Sequence, residues 1–204
     1  MRLNDNLLAL SMTHFEHWLE TTSSKNNVSL DEIATYKNGL AMQKFESENA
    51  ADSLPVLKIR ELNQRFTDSS SNRVRTDINE SVKVYDGDVI FSWSGTLLVD
   101  IWTGGPAGLN QHLFKVTSAT YPKWFYYMWT RYHLRQFQQI AAGKATTMGH
   151  IKRSDLKAAK VIIPTDSEFN QLKMLLNPVV DAYPKWSRNK KLNSASLPMF
   201  GNIS

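Results

Sequence analysis

A run of small, hydroxylated and cationic residues between positions 143 and 156 has the chemistry needed to contact phosphate groups. Glycines at 143 and 149 allow the backbone to approach a ligand closely. Two neighbouring hydroxyl groups, Thr146 and Thr147, add hydrogen-bond donors to those of the backbone. Positive charge at short intervals comes from Lys144, His150, Lys152 and Arg153. These residue types at this spacing predict a loop that faces a polyanion.

The basic residues of the chain are concentrated around this loop. Between Lys115 and Lys160 there are nine Lys or Arg residues and a single acid, Asp155, whereas the whole chain has a net charge of only +5. The rest of the chain must therefore be mildly acidic. Such segregation of charge is typical of proteins that bind the phosphate backbone of nucleic acids.

Composition limits the class of protein. With 204 residues, 42% hydrophobic and 21% charged, the chain can form one globular domain with an appendage. It contains no cysteine, which excludes disulfides and thiolate zinc sites. No export signal is recognisable, and no apolar run approaches the roughly 20 residues needed to span a bilayer. We therefore expect a cytoplasmic protein without a membrane partner.

The elements that position the loop begin with an amphipathic helix over residues 4–20. Its apolar stripe consists of Leu8, Met12, Phe15 and Leu19, at helical spacing. The polar run over residues 21–27 has the composition of a linker. We therefore expect this helix to stand apart from the main domain as an arm.

Five short β-branched or aromatic runs predict a sheet. They cover residues 56–60, 82–85, 89–93, 113–116 and 161–163. Pro122 then opens a predicted helix that extends to about Ala142. Its expected buried face contains Phe125, Met128, Tyr132 and Ile140, and its expected solvated row contains Lys123, Arg131 and Arg135.

A final helix is predicted after Pro164, where Thr165 and Glu168 have the spacing of a capping box. Pro178 should kink this helix, and Pro184 should end or break it. The predicted fold class is α/β of the α+β type. Its expected parts are a helical arm at 1–24, a sheet-containing domain at 25–165 and a C-terminal helical region at 166–204.

Three motifs occur in an informative order: residues 87–96, residues 110–112 and the loop at 143–151. With their flanking helices, they resemble the target-recognition domain of the DNA-specificity subunit of type I restriction-modification systems. Residues 15–18 are similar to the end of a conserved helix that precedes such a domain. Residues 191–204 are similar to the conserved close of the subunit.

The resemblance implies that this chain is one half of a two-domain subunit. Such a half reads one part of a split DNA sequence, while its helices set the spacing and dock the methylation subunit. The resemblance also implies that the chain is not an enzyme and holds no cofactor. S-adenosylmethionine, ATP and magnesium would be bound by the methylation and restriction subunits. The chain's own partners would be double-stranded DNA, the methylation subunit, the restriction subunit through the complex, and a possible second copy.

Base recognition should lie in a segment peculiar to this chain, and the Arg-rich run over residues 60–75 suits a loop that enters the major groove. The same run is also typical of a flexible surface loop. Trp93 is open to a structural role or to DNA contact, and Asn110 to His112 favours structural hydrogen bonding. The predicted DNA-binding residues are Arg60, Asn63, Arg65, Arg73, Arg75, Trp93, Lys144, Thr146, Thr147, His150, Lys152 and Arg153.

Signatures of an enzyme are missing from the sequence. Gln138 stands where a phosphate-binding loop of the nucleotidase kind needs its first glycine. His14 and His17 flank Glu16 without further convergent ligands, and no nucleophile elbow surrounds Ser92 or Ser94. Two alternatives to DNA recognition remain open. One is a protein-interaction module that binds the methylation subunit or itself, and the other is a small nuclease.

Overall fold

The computed structural model describes residues 3–49, 51–143 and 149–195, and the side chains of residues 5–49, 51–143 and 149–185. Its helices are α1 (Leu3–Thr21), α2 (Leu30–Ile33), α3 (Ile59–Gln64), α4 (Lys123–Ala142), α5 (Arg153–Ala158) and α6 (Asp166–Ala195), with 3-10 turns at Met42–Phe45 and Glu80–Val82. None of these helices is long and apolar enough to cross a membrane. Together with the strands below, they confirm the α+β fold class.

Ten strands lie in the described part of the chain. They are β1 (Asn27–Ser29), β2 (Thr35–Asn38), β3 (Ser53–Leu57), β4 (Arg73–Arg75), β5 (Lys83–Val84), β6 (Val89–Ser92), β7 (Leu98–Ile101), β8 (Ala107–Leu109), β9 (Leu113–Thr117) and β10 (Lys160–Ile162). They form an antiparallel sheet β2-β9-β6-β7, a mixed sheet β4-β3-β8-β5 and a separate pair β1-β10. All five predicted segments contain strand, but the expectation of one five-stranded sheet is wrong. The other five strands, β1, β2, β4, β7 and β8, were not predicted.

The sheet β2-β9-β6-β7 is covered on both faces. In its central strand β6, Phe91 stacks on Phe137 of α4 with ring centroids 5.7 Å apart. Ile90 points the other way and packs with Trp102 and Leu57 between the two sheets. Every residue of β6 is therefore buried, as expected for a strand with apolar layers on both sides.

Both terminal helices pack on this domain, contrary to the expectation that α1 stands apart. Leu8, Met12 and Phe15 are buried as predicted, and they belong to the same hydrophobic cluster as β6 and α4. Phe15 meets Trp129 of α4 edge to face, with centroids 5.1 Å apart. The apolar stripe on α1 was read correctly, but its partner is the domain itself.

Helices α1 and α6 lie antiparallel. At one end Thr22 donates a hydrogen bond to Glu168, at 2.6 Å, and at the other Tyr183 donates to Asp5, at 3.3 Å. Thr165 and Glu168 form the predicted capping contacts, with the Thr165 amide 2.8 Å from the Glu168 carboxylate.

The expectation that Pro184 ends or breaks the last helix is wrong, since α6 contains both Pro178 and Pro184. A buried stripe on α6, formed by Leu172, Leu176, Val180 and Tyr183, packs into the main hydrophobic cluster. Tertiary packing therefore outweighs the loss of two backbone hydrogen bonds.

Helix α4 departs from its predicted pattern at two positions. Phe125 and Met128 are buried as expected, but Tyr132 is 43% exposed. Arg131, expected on a solvated row, is half-buried and donates a hydrogen bond to the Tyr127 hydroxyl at 2.8 Å. The helix is enclosed on several sides over residues 124–130, so a single stripe does not describe it.

A partly buried ion-pair network, in which only Asp100 is fully enclosed, joins the N-terminal helix to the sheet. Arg65 ends α3 in the left-handed conformation, at φ 66°, and its guanidinium pairs with Asp5 of α1 at 2.6 Å and with Asp100 of β7 at 2.5 Å. Burial raises the pKa of Asp100, and Arg65 opposes that rise. The Arg65 side chain also lies over the ring of Tyr183 of α6, 5.7 Å from its centroid.

Gly39 fixes the crossing from the first sheet to the second. A Cβ atom at this position would lie 2.1 Å from the Leu109 carbonyl oxygen and 2.3 Å from that of Asn110. The Gly39 amide donates to Leu113 at 3.0 Å, and the next amide, of Leu40, donates to Leu109 at 3.0 Å. Only glycine allows the two backbones to approach so closely.

We predict that Gly39→Ala destabilises the protein by about 3 kcal/mol or more, because rigid backbone must shift to admit the methyl group. Urea unfolding followed by circular dichroism measures the change. Gly143→Ala is the matched control, since its Cβ would meet carbonyl oxygens at an ordinary 3.7 Å. Equal unfolding midpoints for the two variants would contradict the assignment.

We predict that Arg65→Ala lowers the free energy of unfolding by about 3 kcal/mol or more, because it leaves the buried Asp100 carboxylate without its cation. Arg75→Ala is the control: its ion pair with Asp77 is exposed on both sides, and its removal should cost less than about 1 kcal/mol. Thermal unfolding of both variants tests the contrast. A small, similar loss for both would show that Arg65 has no special structural role.

Candidate nucleic-acid interface

The segment that follows the loop is anchored as an extension of β6. Ser94 and His150 form an antiparallel bridge. The Gly95 amide donates to the Gly149 carbonyl at 2.9 Å, and the Ile151 amide donates to the Trp93 carbonyl at 3.1 Å. The C-terminal end of the loop is therefore fixed to the sheet by backbone hydrogen bonds.

Gly149 allows this anchoring because the chain passes close to the end of α4. A Cβ atom on residue 149 would lie 2.7 Å from the Ala141 carbonyl oxygen. The close neighbour of this glycine is the protein's own helix, and the expected approach of its backbone to a ligand stays a prediction.

Two of the predicted phosphate-binding cations follow directly. Both Lys152 and Arg153 have exposed side chains at the start of α5. The Asp155 carboxylate accepts a hydrogen bond from the Lys152 amide at 2.7 Å, so this nearby acid caps the helix. Within the described part of the chain, neither Lys152 nor Arg153 forms an ion pair with a carboxylate.

The Arg153 guanidinium is held by contacts from two strands. It lies over the ring of Phe114, 4.7 Å from the centroid, and donates a hydrogen bond to the side-chain oxygen of Asn38 at 2.9 Å. Phe114 stacks in turn on Trp93, with centroids 5.6 Å apart. His150 meets Trp93 edge to face at 6.4 Å. We call this group of Trp93, His150, Lys152 and Arg153 the cationic face.

The cationic face includes only two of the nine Lys and Arg residues counted between positions 115 and 160. The pKa of Glu32 is lowered by its hydrogen bonds to Ser29 and, to a smaller degree, by the nearby Lys160 and Lys157. These two lysines therefore stand near an acid on α2. Lys152 and Arg153 have exposed side chains and, in the part of the chain that the structure describes, no ion pair with a carboxylate.

The motif over residues 110–112 has the structural role that was favoured. Asn110 is 8% exposed, and its side-chain oxygen accepts a hydrogen bond from the His112 amide at 3.2 Å. The His112 ring nitrogen Nδ1 lies 2.9 Å from the Ser94 hydroxyl. These bonds hold the turn before β9 beneath Trp93.

The Arg-rich segment is more ordered than a loop between strands, because it contains α3 and β4. Arg60 pairs with Glu61 at 2.6 Å and with Asp68 at 3.2 Å, and Arg73 donates to the carbonyl of Ser53 at 2.7 Å. Asn63 and Arg75 have exposed side chains. Among the described residues, no hydrogen bond, ion pair or ring contact joins this segment to the cationic face.

Arg65 is set apart from the other predicted base contacts. Its guanidinium is committed to Asp5 and Asp100, as described above. The geometry therefore gives it a structural task, and we leave it out of the interface.

Three predicted contacts, Lys144, Thr146 and Thr147, lie outside the described residues. Sequence reasoning also missed two residues that support the site, Asn38 and Phe114. No local pattern pointed to them, because Asn38 is 115 positions from Arg153. No group of three or more metal-ligating side chains lies in the part of the chain that the structure describes.

Comparisons with known proteins identify the family. The profile described as "Type I restriction modification DNA specificity domain" matches residues 23–175. Over 102 residues the chain is 32% identical to the "Type I restriction enzyme EcoBI specificity subunit" of Escherichia coli, covering 49% of this chain and 21% of that subunit. The chain therefore spans only a small part of this relative's length.

Two solved structures share the fold. One is the HsdS subunit from Thermoanaerobacter tengcongensis, with a TM-score of 0.54 and 12% identity, covering 96% of this chain and 47% of that chain. The other comes from work on complex assembly and conformational transition of the type I R-M system, with a TM-score of 0.51 and 13% identity, covering 94% and 48%. The chain spans about half the length of these two chains.

The family profile covers most of the sequence, and it includes all three motifs that suggested the resemblance. The chain belongs to the family of type I restriction-modification DNA specificity domains.

Proposed function

We propose that this chain is a DNA-recognition module of a type I restriction-modification complex, and that it grips duplex DNA through the cationic face. The observation that carries the proposal is the pair of exposed cations, Lys152 and Arg153, on a backbone that β6 anchors. Lys and Arg side chains are among the main donors to DNA phosphates, and such contacts fix the orientation of a protein on the duplex. Lys157 and Lys160, the next cations along the chain, lie near the carboxylate of Glu32, whose pKa they help to lower.

Base recognition belongs, in this proposal, to the segment that contains α3 and β4. Exposed polar side chains there include Asn63 and Arg75, with Arg60 half-exposed beside them. Asn and Arg are among the side chains that read base edges in the major groove. Positive charge in this segment is offset by Glu61, Asp68 and Asp77, which suits reading of bases better than non-specific attraction.

The terminal helices are proposed to dock the other subunits. Leu10 on α1 is 54% exposed, and Met174 and Leu175 on α6 are 80% and 47% exposed. Apolar side chains on exposed helix faces favour protein partners. The proposed partners are the methylation subunit, through it the restriction subunit, and a second copy of this chain.

Chemistry is assigned to those partners in the same proposal. The methylation subunit would transfer a methyl group from S-adenosylmethionine to adenine, and the restriction subunit would cleave DNA with ATP and magnesium. The chain itself would select the DNA site at which the complex binds, and it would supply no catalytic group. A reducing cytoplasm is the setting that fits a chain without cysteine.

We predict that the double substitution Lys152→Ala and Arg153→Ala weakens binding to duplex DNA of random sequence. It should also flatten the dependence of log K on log salt by about 1.8, which is about 0.9 for each lost phosphate contact. Fluorescence anisotropy titrations over a salt series measure both quantities.

The control removes the same charge elsewhere, with Lys173→Ala and Lys185→Ala on the exposed side of α6. It should leave the salt slope unchanged. If the two double variants behave alike, the cationic face is not the DNA contact. If the unaltered chain shows no salt-dependent binding, the proposed function is wrong.

We predict that Gly149→Ala reduces DNA affinity, because the new methyl group would push the strand extension away from α4 and displace the residues that follow. Asn6→Ala, at an exposed position of α1, is the control and should leave DNA affinity unchanged. Anisotropy titrations and melting curves should be recorded for both. Equal DNA affinity of the two variants would remove the anchoring of residues 149–151 from the binding mechanism.

A further inference from the structure

One cation of the cationic face differs from the other in how it is held. Among the residues that the structure describes, Lys152 has no side-chain partner of opposite charge, whereas Arg153 is fixed from two sides, by the Phe114 ring at 4.7 Å and by Asn38 at 2.9 Å. Both partners come from the first sheet rather than from α5. The sheet therefore sets the position of this guanidinium.

Asn38 and Phe114 are themselves placed by strand pairing. They stand opposite each other in the register of β2 and β9. Asn38 also precedes Gly39, whose backbone is packed against Leu109 and Asn110. The side-chain amide of Asn38 donates to the Gln111 carbonyl at 3.4 Å, which orients its oxygen toward Arg153.

The chemistry of the Asn38 oxygen matters as much as its position. A carboxylate there would form an ion pair with Arg153 and cancel its charge, as acids do for Arg60 and Arg65 in this chain. The amide oxygen is a neutral acceptor. It uses one of the five N–H donors of a guanidinium and leaves the charge and the remaining donors for an anion.

We propose that Asn38 is a positioning residue that holds the Arg153 guanidinium over Phe114, ready to bind a DNA phosphate without losing side-chain freedom on binding. The proposal rests on the proposed function, in which Arg153 contacts DNA. A side chain ordered in advance does not have to be immobilised by the ligand, and this saving corresponds to about 2- to 10-fold in affinity.

The test measures binding of random-sequence duplex DNA by the full chain over a salt series, for Asn38→Ala, Asn38→Asp, Arg153→Ala and the double variant Asn38→Ala with Arg153→Ala. Asn38→Ala should weaken binding about 2- to 10-fold with an unchanged salt slope, because every phosphate contact persists. Asn38→Asp should weaken DNA binding further and reduce the magnitude of the slope of log K against log salt by about 0.9, because the charge of Arg153 is neutralised. Asn6→Ala, on the exposed side of α1, is the control and should have no effect.

The double variant separates positioning from general damage. If Asn38 acts through Arg153, then Asn38→Ala has no further effect once Arg153 is alanine. Independent, multiplicative losses would overturn the proposal, as would a normal affinity for Asn38→Ala. In either case a loss on Arg153→Ala alone would leave the proposed function standing. Absence of salt-dependent binding in the unaltered chain would instead refute the proposed function.

Discussion

Burial of the antiparallel sheet on both of its faces is the constraint on which the rest of the structure depends. Because Phe91 packs on α4 and Ile90 packs on the second sheet, β6 has no face left for solvent or for a ligand. Only strand ends and connecting loops remain available for binding. The cationic face forms where β6 ends, at Trp93, and where the chain returns at His150. Backbone hydrogen bonds between residues 93–95 and 149–151 fix this surface to the sheet.

The same constraint explains why Arg65 and Arg153 differ in their position and in their partners. Arg65 lies where α1, α3 and β7 meet, and two carboxylates neutralise it. Arg153 lies at a strand end, and a neutral amide holds it. The residue type is identical, but the available charge differs, because the charge of Arg65 is balanced by carboxylates whereas the partner of Arg153 is neutral. A count of Lys and Arg along the chain cannot make this distinction, whereas the identity of the acceptor does.

Sequence patterns were reliable where structure is local. The stripe on α1, the extent of α4 and the capping contacts of Thr165 and Glu168 depend on neighbours within a few turns. These patterns failed where contacts between segments far apart in sequence determine the structure. The arm was expected to be separate because nothing in residues 21–27 reveals that Phe15 packs on Trp129. Likewise, Pro184 stays within α6 because of a buried stripe whose partners lie on other elements.

The candidate site shows the same division. Sequence analysis found Gly149, Lys152 and Arg153 because these residues lie close together along the chain. Their supports were not found, since Asn38 and Phe114 reach Arg153 only through the pairing of β2 with β9. Gly39, where the backbones of the two sheets meet, directly follows Asn38 at the end of β2. If the chain grips DNA as proposed, the two sheets and the guanidinium must move as one body. The register of the core, rather than the flexibility of a loop, would then set where the phosphate is held.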